Sequence, residues 1–308
     1  MKLIKKYNLL SFIFIIALTF LISGCNNIVL LNPKGQVGHN IRELIFISIG
    51  LMLIIVIPVI ILTIFFAYRY NKMYSNTYDP NFSHSNTLEL IIWTIPILIV
   101  IILAIVTWKS SHILDPKRPL NSSIQPITIE VIALNWKWLF IYPKENIALI
   151  NELSFPINTP IKFLITSNSI MNSFFIPQLG SQIYAMAGMK TTLNIISNEP
   201  GIYKGISSNF SGNGFSGMKF NVIVQPNKDK FNKWIKKIKL SPNKINTINE
   251  YENISKDSYF NKVQYFSNIR YNLFKYILNK FNYTKNYNLP QKRESQNAGN
   301  TNIKINTI

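Results

Sequence analysis

Cysteine occurs once in the 308 residues, at Cys25, and histidine three times, at His39, His84 and His112. A single thiol excludes an intrachain disulfide. With no histidine or cysteine beyond residue 112, the C-terminal two-thirds cannot assemble a metal site of the imidazole and thiolate type. Acidic residues are also scarce, 13 against 32 lysines and arginines, for a formal net charge of +19. The basic excess is scattered and accompanies heavy use of Asn, Ile, Tyr and Phe, so it reads as a compositional trait. No nucleic-acid partner is expected. Charge itself is missing from two long stretches, and these set the organisation of the first third of the chain.

Residues 1–24 have basic Lys2, Lys5 and Lys6, an apolar run, and then Ile22-Ser-Gly-Cys25. This order suits a signal peptide ending at a lipidated Cys25, the small residues admitting a peptidase and the thiol taking the lipid. An uncleaved helix ending in cysteine is the other reading. No residue from 44 to 68 is charged, about 37 Å of helix and enough to span a bilayer. A second charge-free run, 90–108, has Trp93 and Trp108 near opposite ends as interfacial anchors. Residues 25–109 are therefore expected to form a lipid-anchored N-terminus and a two-helix transmembrane hairpin, with everything beyond 109 outside the cytoplasm. Glu89 starts the second run. It pairs in sequence with Asn86 as a capping box, or it is an ionisable group on a proton path at the membrane boundary.

From 125 to 226 short runs alternate apolar and polar residues (Ile127, Ile129, Val131; Ile161, Phe163, Ile165; Phe220, Val222, Val224) between Pro-, Gly- and Asn-rich turns. Period-two runs of this length predict a β-sandwich or barrel. Trp136 and Trp138 are expected on one face of a strand. In 227–283, Phe231, Trp234, Ile235 and Ile238 predict an amphipathic basic helix able to lie on a membrane or a partner, and a second helix is expected over 263–281. Residues 284–308 are polar, without periodicity, and read as a disordered tail.

Within the β region, positions 207, 211, 215 and 218 have the spacing of Cys-x3-Cys-x3-His-x2-Met, a loop that wraps a pair of copper ions. The residues are Ser207, Ser211, Phe215 and Met218, with Asn209 inside the loop and Asn172 where an upstream histidine would stand. A copper pair needs bridging thiolates and imidazoles, and hydroxyls and a phenyl ring replace neither.

Asn172-Ser-Phe-Phe-Ile-Pro177, the run from Gly180 to Met189, Asn198-Glu-Pro-Gly201 and the run from Phe210 to Met218 together resemble subunit II of the bacterial cytochrome bo-type ubiquinol oxidase. The likeness extends over roughly residues 25–282 through Ser83-His-Ser-Asn86, Trp93-Thr-Ile-Pro96, Asp115-Pro116 and Trp136-Lys-Trp138. It implies two transmembrane helices followed by a periplasmic cupredoxin-like β-sandwich and a helical, aromatic-rich C-terminal extension, in an inner-membrane lipoprotein. The resemblance further implies a proton-pumping quinol oxidase complex in which Asn172, Ser207, Asn209, Ser211, Phe215 and Met218 occupy vestigial copper-A positions. No cofactor is expected in this chain. Haems and copper belong to a partner, subunit I, with ubiquinol as substrate of the complex. Glu89 would lie near a proton entrance to subunit I. Two other readings stand beside this: a cytochrome c oxidase subunit with copper A, which the ligand set opposes, and a stand-alone cupredoxin-like membrane lipoprotein serving metal handling or oxidase assembly.

Overall fold

A computed structural model describes residues 28–70, 84–120 and 122–287, with side chains to 281. The expected signal peptide and Cys25, the connection 71–83 between the two apolar helices, and 288–308 lie outside the described residues; of the tail expected to be disordered from 284, residues 284–287 instead continue the last helix. Helix α1 covers Gln36–Arg69 and α2 covers Asn86–Ile113. Both begin or end beyond the charge-free runs. At 1.5 Å per residue the 34-residue α1 is about 51 Å long. In their most apolar windows 0% and 6% of residues are buried, so nearly all of this apolar surface faces outward, and both helices are long and apolar enough to cross a membrane.

The strands that follow are β1 (Ile127–Leu134), β2 (Lys137–Tyr142), β3 (Ile147–Ile150), β4 (Glu152–Pro156), β5 (Ile161–Ser167), β6 (Asn172–Phe175), β7 (Gln182–Ala185), β8 (Thr191–Ile195), β9 (Gly201–Ser207) and β10 (Lys219–Gln225). A short β11 (Gln264–Phe266) joins from the C-terminal extension. They form a six-stranded sheet, β11-β3-β2-β1-β5-β8, and a five-stranded sheet, β4-β10-β9-β6-β7. The β1–β5 and β10–β4 pairs are parallel and the rest antiparallel. This is the cupredoxin-like sandwich. Alternate residues of β1 show how sequence period becomes layer: Ile129, Val131 and Ala133 enter the core between the sheets, while Ile132 and Leu134 enter a second core on the outer face.

The extension builds that second core. Helices α3 (Lys228–Lys239), α4 (Ile248–Ser255) and α5 (Leu273–Tyr287) follow the sandwich. The Asn227 side chain caps α3 by accepting from the Lys230 backbone N–H, and α3 buries Phe231, Ile235 and Ile238. Its apolar face is thus consumed by the protein's own core, which corrects the expectation that this helix lies on a membrane or partner by that face. The single helix expected over 263–281 is also corrected. Gln264–Phe266 pairs with β3, and the helix begins only at Leu273. Tyr251, Phe266, Phe274 and Ile277 then cover Ile132, Leu139 and Ile141.

Glu130 sits on this outer face, opposite Ile141 on β2 and Leu164 on β5. Burial without a countercharge raises its carboxyl to about 7. Between pH 4.5 and 7 the folded chain therefore binds more protons than the unfolded one, and stability falls as pH rises. Since the side chain keeps partial solvent contact, the loss is about 1–2 kcal/mol, well below a full conversion of the shift. Thermal unfolding at pH 5 and pH 8 checks this: Glu130→Gln should flatten the pH dependence and raise the melting temperature at pH 8.

Candidate functional site: a metal-loop frame filled by hydroxyls and amides

The 207–218 loop leaves the end of β9, passes through the 3-10 turn Phe215–Gly217 and re-enters the sheet at β10. Its two ends are held together by the Ser207 N–H donating to the Met218 carbonyl at 3.1 Å. Asn172 starts the neighbouring β6, and Ser207 Oγ donates to Asn172 Oδ1 at 3.2 Å in a buried contact. Ser211 Oγ lies 4.0 Å from Met218 Sδ, also buried. Asn172, Ser207, Ser211 and Met218 are 1–5% exposed, so the fold brings these four positions together in a dry corner. Asn209 points its amide back to the Met171 carbonyl at 3.0 Å, and Phe215 packs edge-on against Phe210.

The donor set does not suit copper. Ser hydroxyls stay protonated at any physiological pH, the Asn172 amide is neutral, and a phenyl ring has no lone pair. Among the described residues no group of three or more His, Cys, Asp or Glu side chains could hold a metal. The histidines lie elsewhere: His39 Nδ1 is 3.0 Å from the Gly35 carbonyl, and His112 packs on Trp108. Beneath the loop an aromatic cluster fills the sandwich, with Phe174 and Phe220 stacked at 5.0 Å and Trp138 edge-on to both.

The expected shared strand face of Trp136 and Trp138 is corrected by the turn between β1 and β2. Trp138 is on β2 and fully buried, whereas Trp136 is in the turn with φ +60. From there the Trp136 Nε1–H donates to the Ser211 carbonyl at 2.9 Å, fastening the loop. One side of its indole rests on Gly212 and Gly214, and Tyr259 of the extension stacks against it at 4.7 Å and 15°. Four further hydrogen bonds, from three side chains, bind this corner to residues 256–262. Lys137 Nζ donates to the Lys256 carbonyl at 2.8 Å and to Ser258 Oγ, Asn135 donates to Asp257, and Asn151 donates to the Asn261 carbonyl at 3.0 Å. Desolvation lowers the Lys137 ammonium pKa, and Asp257 partly offsets this. Sequence patterns did not reveal the roles of Lys137, Asn151 or Tyr259, since each reaches across to its partner segment through a contact more than a hundred residues away.

Glu89 occupies the first turn of α2, but the capping box read from Asn86 and Glu89 does not form. The cap residue is Ser85, which makes Glu89 the fourth helical residue, one too late to reach back. Its backbone N–H bonds the Ser85 carbonyl, and its carboxylate is exposed. The capping box of the described chain is at Thr247 and Glu250 instead.

Two long apolar helices followed by this sandwich, with an aromatic-rich extension clamped over the 207–218 loop, match the build of an oxidase second subunit. The family model "Cytochrome C oxidase subunit II, periplasmic domain" matches residues 141–225, and the "COX Aromatic Rich Motif" matches 239–285. Cytochrome bo(3) ubiquinol oxidase subunit 2 of Buchnera aphidicola subsp. Baizongia pistaciae is 50% identical over 279 residues, covering 90% of this chain and 97% of the relative. The protein of the same name from Pseudomonas putida is 51% identical over 264 residues, covering 85% and 82%. Quinol oxidase subunit 2 of Bacillus anthracis is 39% identical over 256 residues, covering 80% and 88%. The chain belongs to the ubiquinol oxidase subunit 2 family.

The Trp136 sandwich yields a direct test. A Cβ on Gly214 would fall 2.4 Å from the indole, and Tyr259 blocks retreat on the other side. Gly214→Ala should destabilise the external domain by about 1–3 kcal/mol, the usual range for overpacking. Chemical denaturation followed by tryptophan fluorescence checks it, and Tyr259→Ala in the same chain should recover part of the loss by giving the indole room.

Proposed function

We propose that the chain is the second subunit of a proton-pumping ubiquinol oxidase of a bacterial inner membrane, with its sandwich in the periplasm and no redox metal of its own. The observation that carries this reading is the filled frame. A hydrogen bond between Ser207 and Asn172, and a hydroxyl against the Met218 thioether, stand where a copper pair would need thiolates and imidazole. Asn172, Ser207, Asn209, Ser211, Phe215 and Met218 are then vestigial copper-A positions, kept as packing. Electrons enter from a lipid-soluble quinol, and the oxygen chemistry belongs to the haems and copper of subunit I. This chain braces subunit I through its spans and through the rim of the loop, where Phe210 and Phe260 are 75% and 73% exposed. Apolar rings this open to water favour burial against a partner. Purification in mild detergent tests the reading. Recovery with a many-span haem protein supports it. A lone chain supports the stand-alone lipoprotein reading, and about one copper per copy of this chain would overturn the metal-free sandwich.

Glu89 is assigned to proton entry. If the N-terminus is external, the start of α2 is at the cytoplasmic side, the side from which pumped and chemical protons are drawn. Among the described residues its carboxylate has no hydrogen-bond partner, so a local structural role has little support. Glu89→Gln should lower turnover severalfold and reduce protons pumped per electron at unchanged haem content, while Glu89→Asp keeps most of both. A change in melting temperature without any change in turnover would reduce Glu89 to a favourable charge at a helix N-terminus. Cys25 is proposed as the lipidation site, and intact mass of the mature chain should show acyl groups on an N-terminal Cys25.

A further inference from the structure

The two spans run antiparallel. Near the start of α1 and the end of α2 they part to leave a groove of about 380 Å³. Each helix lines it with one stripe at spacing i, i+3, i+4, i+7: Asn40, Glu43, Leu44 and Ile47 from α1, then Val106, Lys109, Ser110 and Ile113 from α2. Because the helices run in opposite directions, Ile47 and Val106 form the deep end, toward the middle of the bilayer. Glu43 and Lys109 sit at one level, about one helical turn nearer the outer surface. Opposite charges thus face a common groove, yet they form no ion pair, and among the described residues neither side chain has a hydrogen-bond partner.

We propose that this groove is a binding site for one phospholipid whose headgroup carries both a phosphate and a primary ammonium. The ammonium donates to Glu43, the phosphate accepts from Lys109, and the acyl chains descend over Ile47 and Val106. The charge pattern selects the headgroup. An anionic glycerol headgroup would satisfy Lys109 and leave the Glu43 carboxylate without a cation. A choline headgroup has no N–H to donate. Free lysines at the ends of spans reach headgroups nonspecifically. Here a carboxylate sits at the same depth across an apolar floor, which makes the site two-ended. The inference rests on the membrane reading above, but not on the quinol chemistry.

The test uses the intact detergent-purified complex, mixed with phosphatidylethanolamine or phosphatidylglycerol and examined by native mass spectrometry. Wild type should retain one more phosphatidylethanolamine than Val106→Trp, which fills the floor of the groove without altering charge. Glu43→Gln should lower phosphatidylethanolamine occupancy about tenfold and shift preference toward phosphatidylglycerol, and Lys109→Met should weaken both. Equal lipid retention in all four proteins would overturn the proposal. So would a photo-reactive amino acid at Leu44 that crosslinks to another polypeptide, or to acyl chains on Cys25, instead of to free lipid. Ubiquinol-driven oxygen uptake in wild type separates the two claims: normal turnover with unchanged lipid retention sinks only the lipid site.

Discussion

The indole of Trp136 is the contact on which the external domain turns. It fastens the 207–218 loop through the Ser211 carbonyl, rests on two glycines of that loop and carries Tyr259 on its other face. In a copper protein the metal itself would hold such a loop to β6. Here the work is divided among small contacts, each of about 1 kcal/mol: the Ser207 and Asn172 pair, the Asn209 amide, and the indole. Gly214 has to be glycine for this, because the ring occupies the space of a Cβ.

The extension follows from the same contact. Residues 256–262 are tied to this corner by the Tyr259 stack and by hydrogen bonds from Asn135, Lys137 and Asn151. With the stack in place, Lys137 becomes buried and must find acceptors, which the Lys256 carbonyl and Ser258 supply. An unpaired ammonium there would be costly, so the two segments stabilise each other. The outer face of β1, β2 and β3 is sealed in turn by Tyr251, Phe266, Phe274 and Ile277. Sandwich and extension consequently share two cores, one between the sheets and one outside them.

Much of this could be read from residue patterns alone. Charge-free runs marked the two long apolar helices, period-two runs marked β1, β5 and β10, and the 4, 4, 3 spacing picked out Ser207, Ser211 and Met218, which the fold brings together with Asn172. Local signals failed where a distant segment decides. Phe231, Ile235 and Ile238 have the spacing of a membrane-surface helix, and only the sandwich beneath them shows that their face is taken. Tyr265 and Phe266 fall within a helical period, but the free edge of β3 claims them as a strand. Glu89 depended on a one-residue difference in where α2 begins, a distinction that sequence spacing does not resolve. Trp136 looked like a strand residue because Asn135 is the lone turn former there, and a tryptophan at positive φ is rare enough that spacing alone does not place one in a turn.

The central claim is that a sandwich whose metal frame is filled by hydroxyls and amides serves an oxidase fed from the membrane. The most direct measurement is oxygen uptake by the intact complex with reduced ubiquinol or with reduced cytochrome c as donor. The account predicts rapid uptake with ubiquinol and none above background with cytochrome c. Comparable rates with cytochrome c would contradict it.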